Sequence, residues 1–513
     1  MNRFFSVLMV TLFVLGCSNS ENIPSTQKAK FSEELSALKE YFQIPGLSVL
    51  VGKGDLIIYE DYMGLADIEQ QVPMDSITTL PMASLTKMFS AIVLGQLVDE
   101  GKLSLNESLR IYSENSNIGD SIKVKHALSH TSQGIPGQRF YYNNGRFMLL
   151  GDVIEKASGK DFKTNIYERI INPLQLKNTY LLRDSLQLVT EKRKVAQPYF
   201  LGGELQDGYM VKESNPGFID YGYSTAAGIS STVRDLFKLS RALDKNMLIT
   251  NTFKDKMFNP FGPDLPYGLG VFTQEFLDEK LVWGYGQYDC YSSLFLKAPK
   301  RDLTFIIAAN NNLMSDPARL IAGDVSYSLF ALSFLKNFVL DLEEEPLFED
   351  QATLKSLEDR LTKNRSEFIR KKLMAQSLAA TFMSRYSDIE GDLSKQILDQ
   401  LFKHFPDYQD YGDLVLVRNL FMLKFMDDIR DREEFTDFDN QFREIGEILL
   451  EADENNPYAN FYMANFFQIK EIPEKSLEYY KNIVEAENFS PWWYTREAQK
   501  WIDENVPENK KRP

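Results

Sequence analysis

Ser84-Leu85-Thr86-Lys87 is the stretch on which the reading of this chain turns. A serine three residues before a lysine shares one face of a helix with it, so the hydroxyl can reach the amine. The run that follows places Met88, Ile92, Val93 and Leu97 at a helical period, closed by Gly101, which predicts an amphipathic helix beginning near Ser84. A helix start also supplies unpaired backbone N–H groups and a favourable dipole for a developing oxyanion. Alone, the pair is equally compatible with a helix cap and a surface lysine; its weight comes from what accompanies it.

Composition bounds the setting. At 513 residues the chain has room for two or three domains. A net charge of −16 argues against nucleic acid as a partner and would be repelled by an anionic lipid surface. Asn2-Arg3, the apolar run Phe4 to Leu15 and then Val14-Leu15-Gly16-Cys17 resemble a bacterial lipoprotein signal. The expectation is a signal peptide over 1–16, a lipid anchor to a membrane on Cys17 and a polar tether over 17–30, placing the protein in the cell envelope. With Cys17 lipidated, Cys290 has no disulfide partner and reads as a small packed residue.

Residues 31–335 mix strands and helices. Leu47 to Tyr59 predicts a hairpin turning at Gly52-Lys53-Gly54-Asp55, and Leu281 to Trp283, Ser292 to Lys297 and Leu303 to Ala309 read as consecutive strands. The fold class expected is α+β, an antiparallel sheet flanked by helices with a helical subdomain, followed by an all-α C-terminal domain. Residues 336–350, acidic and with a proline, predict a linker, and 351–513 a helical domain. Within it Ala464, Phe467, Ser476 and Tyr480 lie at spacings similar to a tetratricopeptide repeat, one copy of which is equally compatible with a generic bundle. Trp492, Trp493 and Trp501 read as helical packing.

Two further elements accompany the Ser84 stretch: Tyr142-Asn143-Asn144, and Gly284-Tyr285-Gly286-Gln287 opening a strand. In that order the three resemble the serine β-lactamase and penicillin-binding-protein superfamily, on its class C-like, esterase-like branch. The segments from His126 to Ser132, Tyr142 to Gly159, Asn172 to Thr179 and Ala226 to Asp235 extend the resemblance over roughly residues 40–320. It implies an acyl-enzyme at Ser84, proton transfer by Lys87, a proton relay and leaving-group protonation by Tyr142, and substrate binding by Asn144, which would also orient Lys87. The backbone N–H groups of Ser84 and Gln287 would form the oxyanion hole, with Gly284, Tyr285 and Gly286 lining the site. Free lysine, with a pKa of about 10.4, is a poor base, so burial has to lower it. The resemblance implies no metal or organic cofactor, and a small-molecule or peptide substrate.

One position departs from the family pattern. Gly284 stands where a lysine or histidine would bind a substrate carboxylate, which favours an ester- or peptide-cleaving hydrolase over an efficient β-lactamase. The alternative is a catalytically inactive lipoprotein of this fold that binds a protein partner through its helical C-terminal domain. His126 and His130 lie four apart, but no H-E-x-x-H pattern accompanies them, and both read as structural.

Overall fold

The structure is a computed structural model. It describes residues 24–506 apart from 114–117, 183–193, 207–208, 215–221, 319, 363–364, 385–387, 407–436, 487–488 and 490–491. The expected signal peptide and Cys17 lie outside the described residues.

An antiparallel seven-stranded sheet organises the first domain. Its strands are β1 (Gly46–Lys53), β2 (Leu56–Asp67), β3 (Val72–Pro73), β4 (Phe272–Phe276), β5 (Glu279–Gln287), β6 (Ser292–Ala298) and β7 (Leu303–Ala309). In space they run β3-β2-β1-β7-β6-β5-β4, so the first and last strands meet in the middle, with Leu47 opposite Ala309 and Lys53 opposite Leu303. The β1–β2 turn is tighter than expected. Gly52 and Lys53 continue the strand, and the chain reverses at Gly54-Asp55, with Gly54 at φ +56°.

Both faces of the sheet are covered, and side-chain alternation sorts the residues between them. Leu47, Val49, Val51, Phe305 and Ile307 face one core, shared with Phe31, Leu35 and Leu38 of the helix Ser25–Tyr41 and with the helix Leu329–Phe338. Leu50, Val282, Phe295, Ile306 and Ala308 face the other, shared with the helical subdomain inserted between β3 and β4. The first helix begins within the segment expected to be a tether. Residues 25–30 are helical because the helix is pinned: Gln27 donates to the Asn337 carbonyl, and Glu34 accepts from Lys336 Nζ at 2.5 Å. Phe31 packs edge-on to Phe338 at 4.9 Å, and burying such a ring contributes about 1.5–3 kcal/mol.

The helix Thr86–Asp99 departs from its amphipathic expectation. Every residue from Thr86 to Gly95 is buried, because the helix runs between the sheet and the subdomain and has no solvent side.

The segment 336–350 is not a loose linker either. Glu345 and Glu349 turn inward, where Lys372 Nζ of the helix Ser366–Met383 lies 2.7 Å from a carboxylate oxygen of each, and Arg360 pairs with both. Asp350 then caps the next helix through the N–H groups of Ala352 and Thr353. Beyond lies an all-helical region in which the helices Pro457–Ile469 and Pro473–Val484 form a hairpin. They approach closely at small residues, where Ser476 Oγ donates to the Ala464 carbonyl at 3.0 Å. Trp493 packs edge-on to Phe461 at 5.0 Å, as expected of a packing residue.

Burial raises the Glu349 carboxyl, but its bonds to Arg360 and Lys372 outweigh that and hold it below its ordinary value. A depressed carboxyl supplies stability above its unfolded pKa and loses it as the pH falls through the folded value. Lys372→Met leaves two buried carboxylates short of a counter-ion and is expected to destabilise the fold by about 3–5 kcal/mol at neutral pH. Urea unfolding followed at pH 7 and in mild acid checks this: the difference from the parent protein shrinks in acid.

Candidate active site

Ser84 sits in a 3-10 turn, Ala83–Leu85, that leads into the helix Thr86–Asp99. From Thr78 to Gly95 it is the one residue that is not buried. The residue before it is strained. Ala83 has φ 44°, a left-handed conformation that costs a non-glycine residue about 1–3 kcal/mol. Neighbouring bonds enforce it: Met82 N–H donates to the Ile229 carbonyl at 2.7 Å, Thr86 Oγ1 to the Ala83 carbonyl at 2.7 Å, and Ser293 Oγ to the Met82 carbonyl at 3.1 Å. The turn is thus fastened to β6 and to the strand Ile229–Ser231, which together aim the hydroxyl outward.

Lys87 Nζ lies 2.9 Å from Ser84 Oγ and 3.0 Å from the Ala226 carbonyl, 139 residues further along the chain. The lysine is buried, and among the described residues no carboxylate pairs with it. Burial therefore pushes its amine far below the ordinary lysine range. The Tyr142 ring, 4.8 Å from Nζ, opposes this weakly by favouring a cation at its face; desolvation wins.

Tyr142 is buried. Burial raises the phenol well above its usual range, and the nearby Ser84 hydroxyl offsets only part of that, so the phenol stays protonated. The ring packs on His130 at 4.3 Å and lies parallel to Phe272 at 6.1 Å. His130 is thereby explained as structural. It lies past the end of the helix Val124–Leu128, at φ 56°, so the i, i+4 pair does not share a helix face. Its Nδ1 accepts the Asn143 N–H at 3.1 Å, while the Nδ1 of His126 accepts the Lys123 N–H at 3.1 Å. Burial lowers His126 to about 4. Among the described residues no group of three or more His, Cys, Asp or Glu side chains is placed to hold a metal ion.

Asn144 opens the helix Asn144–Met148, and its Oδ1 is buried without a hydrogen-bond partner. The bond expected from Lys87 to Asn144 is not formed there; the amine is held by the Ala226 carbonyl instead. Sequence reading missed that role because a backbone oxygen carries no residue identity. The Ala226 to Asp235 segment stood out only as a resemblance.

The β5 end supplies the opposite wall. Tyr285 is buried beside Tyr142, Trp283 and Phe272. Gln287 Nε2 donates to Asp316 Oδ1 at 2.9 Å, which fixes the strand end and leaves the peptide, rather than the side chain, to act. Gly286 is required by closeness. An added Cβ would stand 2.0 Å from the Met82 carbonyl oxygen and 2.6 Å from Ser293 Oγ. At Gly284 an added Cβ would meet only the tip of Leu85, at 3.0 Å. Leu85 thus crowds the first atom of any side chain placed there. Cys290 is buried in the core, as its small size suggested.

The two glycines are expected to answer substitution differently. Gly286→Ala forces the β5 backbone away from the Ser84 turn, destabilising the fold by about 1–3 kcal/mol or more and displacing the site. Gly284→Ala needs only a small movement of Leu85 and is expected to stay within about 1 kcal/mol of the parent. Thermal melts of the two variants check the contrast.

Comparison with known proteins agrees with this fold. The Beta-lactamase family model matches residues 35–324. Protein flp of Staphylococcus aureus strain MW2 is 26% identical over 312 residues, covering 52% of this chain and 60% of that protein. Penicillin-binding protein 4* of Bacillus subtilis strain 168 is 23% identical over 358 residues, covering 60% of this chain and 76% of that one. The match thus spans about 60% of the length of flp. The octameric penicillin-binding protein homologue from Pyrococcus abyssi superposes with a TM-score of 0.53 at 21% identity, over 68% of this chain and 81% of that one, a likeness of fold. With more than half its length matched and the serine–lysine pair inside the matched region, the chain belongs to the beta-lactamase family, part of a superfamily of serine acyl-transfer hydrolases that includes the penicillin-binding proteins.

Proposed function

We propose that this protein is a serine hydrolase that cleaves an ester or amide through an acyl-enzyme on Ser84. The observation that carries the reading is the 2.9 Å contact between Ser84 Oγ and the amine of a buried lysine with no carboxylate partner among the described residues. An uncharged amine accepts a proton; an ammonium cannot.

In the first step Ser84 Oγ attacks the substrate carbonyl carbon and its proton passes to Lys87 Nζ. The carbonyl oxygen takes up the electron pair and is stabilised by the backbone N–H groups of Ser84 and Gln287. The tetrahedral species then collapses. The bond to the leaving oxygen or nitrogen breaks, and the leaving group takes a proton through the neutral Tyr142 phenol, which is replenished from Lys87. Water attacks the acyl-enzyme by the same relay in reverse, releasing the acid. The unpartnered Asn144 Oδ1 is an acceptor available to a substrate N–H. A neutral Gly284 crowded by Leu85 supplies no cation for a substrate carboxylate, which favours esters and D-amino-acid peptides or amides over β-lactams.

A fluorophosphonate probe is expected to label Ser84, and Ser84→Ala to abolish the adduct in intact-protein mass spectra. Lys87→Arg places a permanently charged group that cannot act as a base, and is expected to slow p-nitrophenyl ester turnover by about 10²–10⁴-fold. With the Lys87 amine lowered, kcat/KM for the parent holds through neutral pH and falls on the acid side, where that amine is protonated. A parent protein that neither labels nor turns over esters, D-amino-acid peptides or nitrocefin would remove the hydrolase reading.

The envelope location belongs to the same proposal. It rests on the sequence ending at Cys17, and metabolic labelling with an alkynyl fatty acid is expected to mark the parent protein but not Cys17→Ser.

A further inference from the structure

Among the described residues, the helical C-terminal region touches the sheet-containing domain in two separate places. The first is broad and apolar. Phe368, Ala375, Ala379 and Phe382 of the helix Ser366–Met383 join the core beneath the sheet, and Lys372 pins the acidic segment beside them. The second is small, polar and distant in sequence from the first, and it falls on the loop that leads into Tyr142.

In that second contact Tyr141, the residue before the phenol, donates its hydroxyl to Asp453 Oδ2 at 2.7 Å. Its ring packs against Phe489 at 4.9 Å. Burial first, and the Asp453 charge second, hold the Tyr141 phenol protonated and therefore donating. Gln133 Nε2 lies 3.4 Å from the Tyr494 hydroxyl, while Gln133 Oε1 accepts from Asn143 Nδ2 at 2.7 Å. Asn143 separates Tyr142 from Asn144, and its Oδ1 accepts the Arg146 N–H at 3.0 Å to cap the helix that Asn144 opens. Gln133, Asn143 and Tyr494 are each at most 1% exposed, so these bonds are made away from competing water. A chain of contacts therefore runs from the helical region to Tyr141 and Asn143, the two residues that flank Tyr142.

We propose that Asp453 and Tyr494, acting through Tyr141 and Gln133, are positioning residues that hold Tyr142 and Asn144 in register with Ser84, so that the helical region completes the active site. The inference rests on the hydrolase reading for its effect on rate. Removing the second contact does not detach the region, because the apolar contact remains. It frees the Tyr142 segment to drift, and a displacement of about 1 Å at a reacting group can cost about 10²-fold.

The test is the full chain carrying Asp453→Ala and Tyr494→Phe together. A fall of about 10–100-fold in the rate of Ser84 acylation and in kcat is expected, with the melting temperature unchanged. Asp453→Asn, which keeps an acceptor for the Tyr141 hydroxyl, is expected to restore most of the rate lost in Asp453→Ala. Acylation by the double variant as fast as by the parent would overturn the proposal. So would a loss equal in Asp453→Asn and Asp453→Ala. A parent protein that fails to acylate would remove the hydrolase reading, and the bracing is then decided by hydrogen exchange. Faster exchange at the amides of Asn143 to Phe147 in the double variant supports it; unchanged exchange overturns it. Should the double variant fold poorly, Tyr141→Phe with Asp453→Asn carries the same measurements.

Discussion

A buried amine without a counter-ion is the constraint around which this molecule is arranged. Charging Lys87 inside the protein would forfeit its hydration, and among the described residues no carboxylate compensates, so burial pushes the amine far below the ordinary lysine range. That arrangement needs a dry helix, and the helix Thr86–Asp99 is dry because the sheet covers one side and the inserted subdomain the other. It needs an acceptor for the amine hydrogens, and the Ala226 carbonyl provides one. It also needs one opening to solvent, and Ser84 is that opening.

The serine itself is held under tension. Ala83 is forced into a conformation that alanine avoids, and the turn survives because its neighbours bond to Thr86, Ser293 and the strand Ile229–Ser231. Gly286 allows β5 to come against the Met82 carbonyl where any side chain would collide. The fold's rigidity and the site's geometry are therefore the same set of contacts. At Gly284 the same strand leaves room for little more than a hydrogen, since an added Cβ would meet the tip of Leu85.

Much of this was legible in the sequence, for identifiable reasons. Ser84 and Lys87 are three apart on a helix, so their meeting is local geometry. Tyr142 and the β5 end are remote, and only the order of motifs in a known family joined them to Ser84. The Ala226 carbonyl was invisible, since every residue has one. The all-round burial of the Lys87 helix was understated because Ser90 and Thr86 look polar, although their hydroxyls bond to the backbone carbonyls of Thr225 and Ala83. The acidic run before Asp350 misled in the opposite direction. Its charges suggest solvent, but their partners, Arg360 and Lys372, lie further along the chain and draw them inside. The first helix reached into the expected tether for a similar reason, since its fastening at Asn337 is 310 residues away.

The order of strands in the main sheet carries a kinetic consequence. β1 and β7 are neighbours at its centre, and the Gly46 N–H is bonded to Asn310 Oδ1 across 264 residues of chain. During synthesis the N-terminal hairpin is complete long before its partner exists, and one side of β1 stays unpaired while the whole subdomain is made. Closing so large a loop is slow, and an open apolar strand invites pairing with another copy. Until its last sheet strand arrives, the open side of β1 is thus an edge at which this protein can pair wrongly.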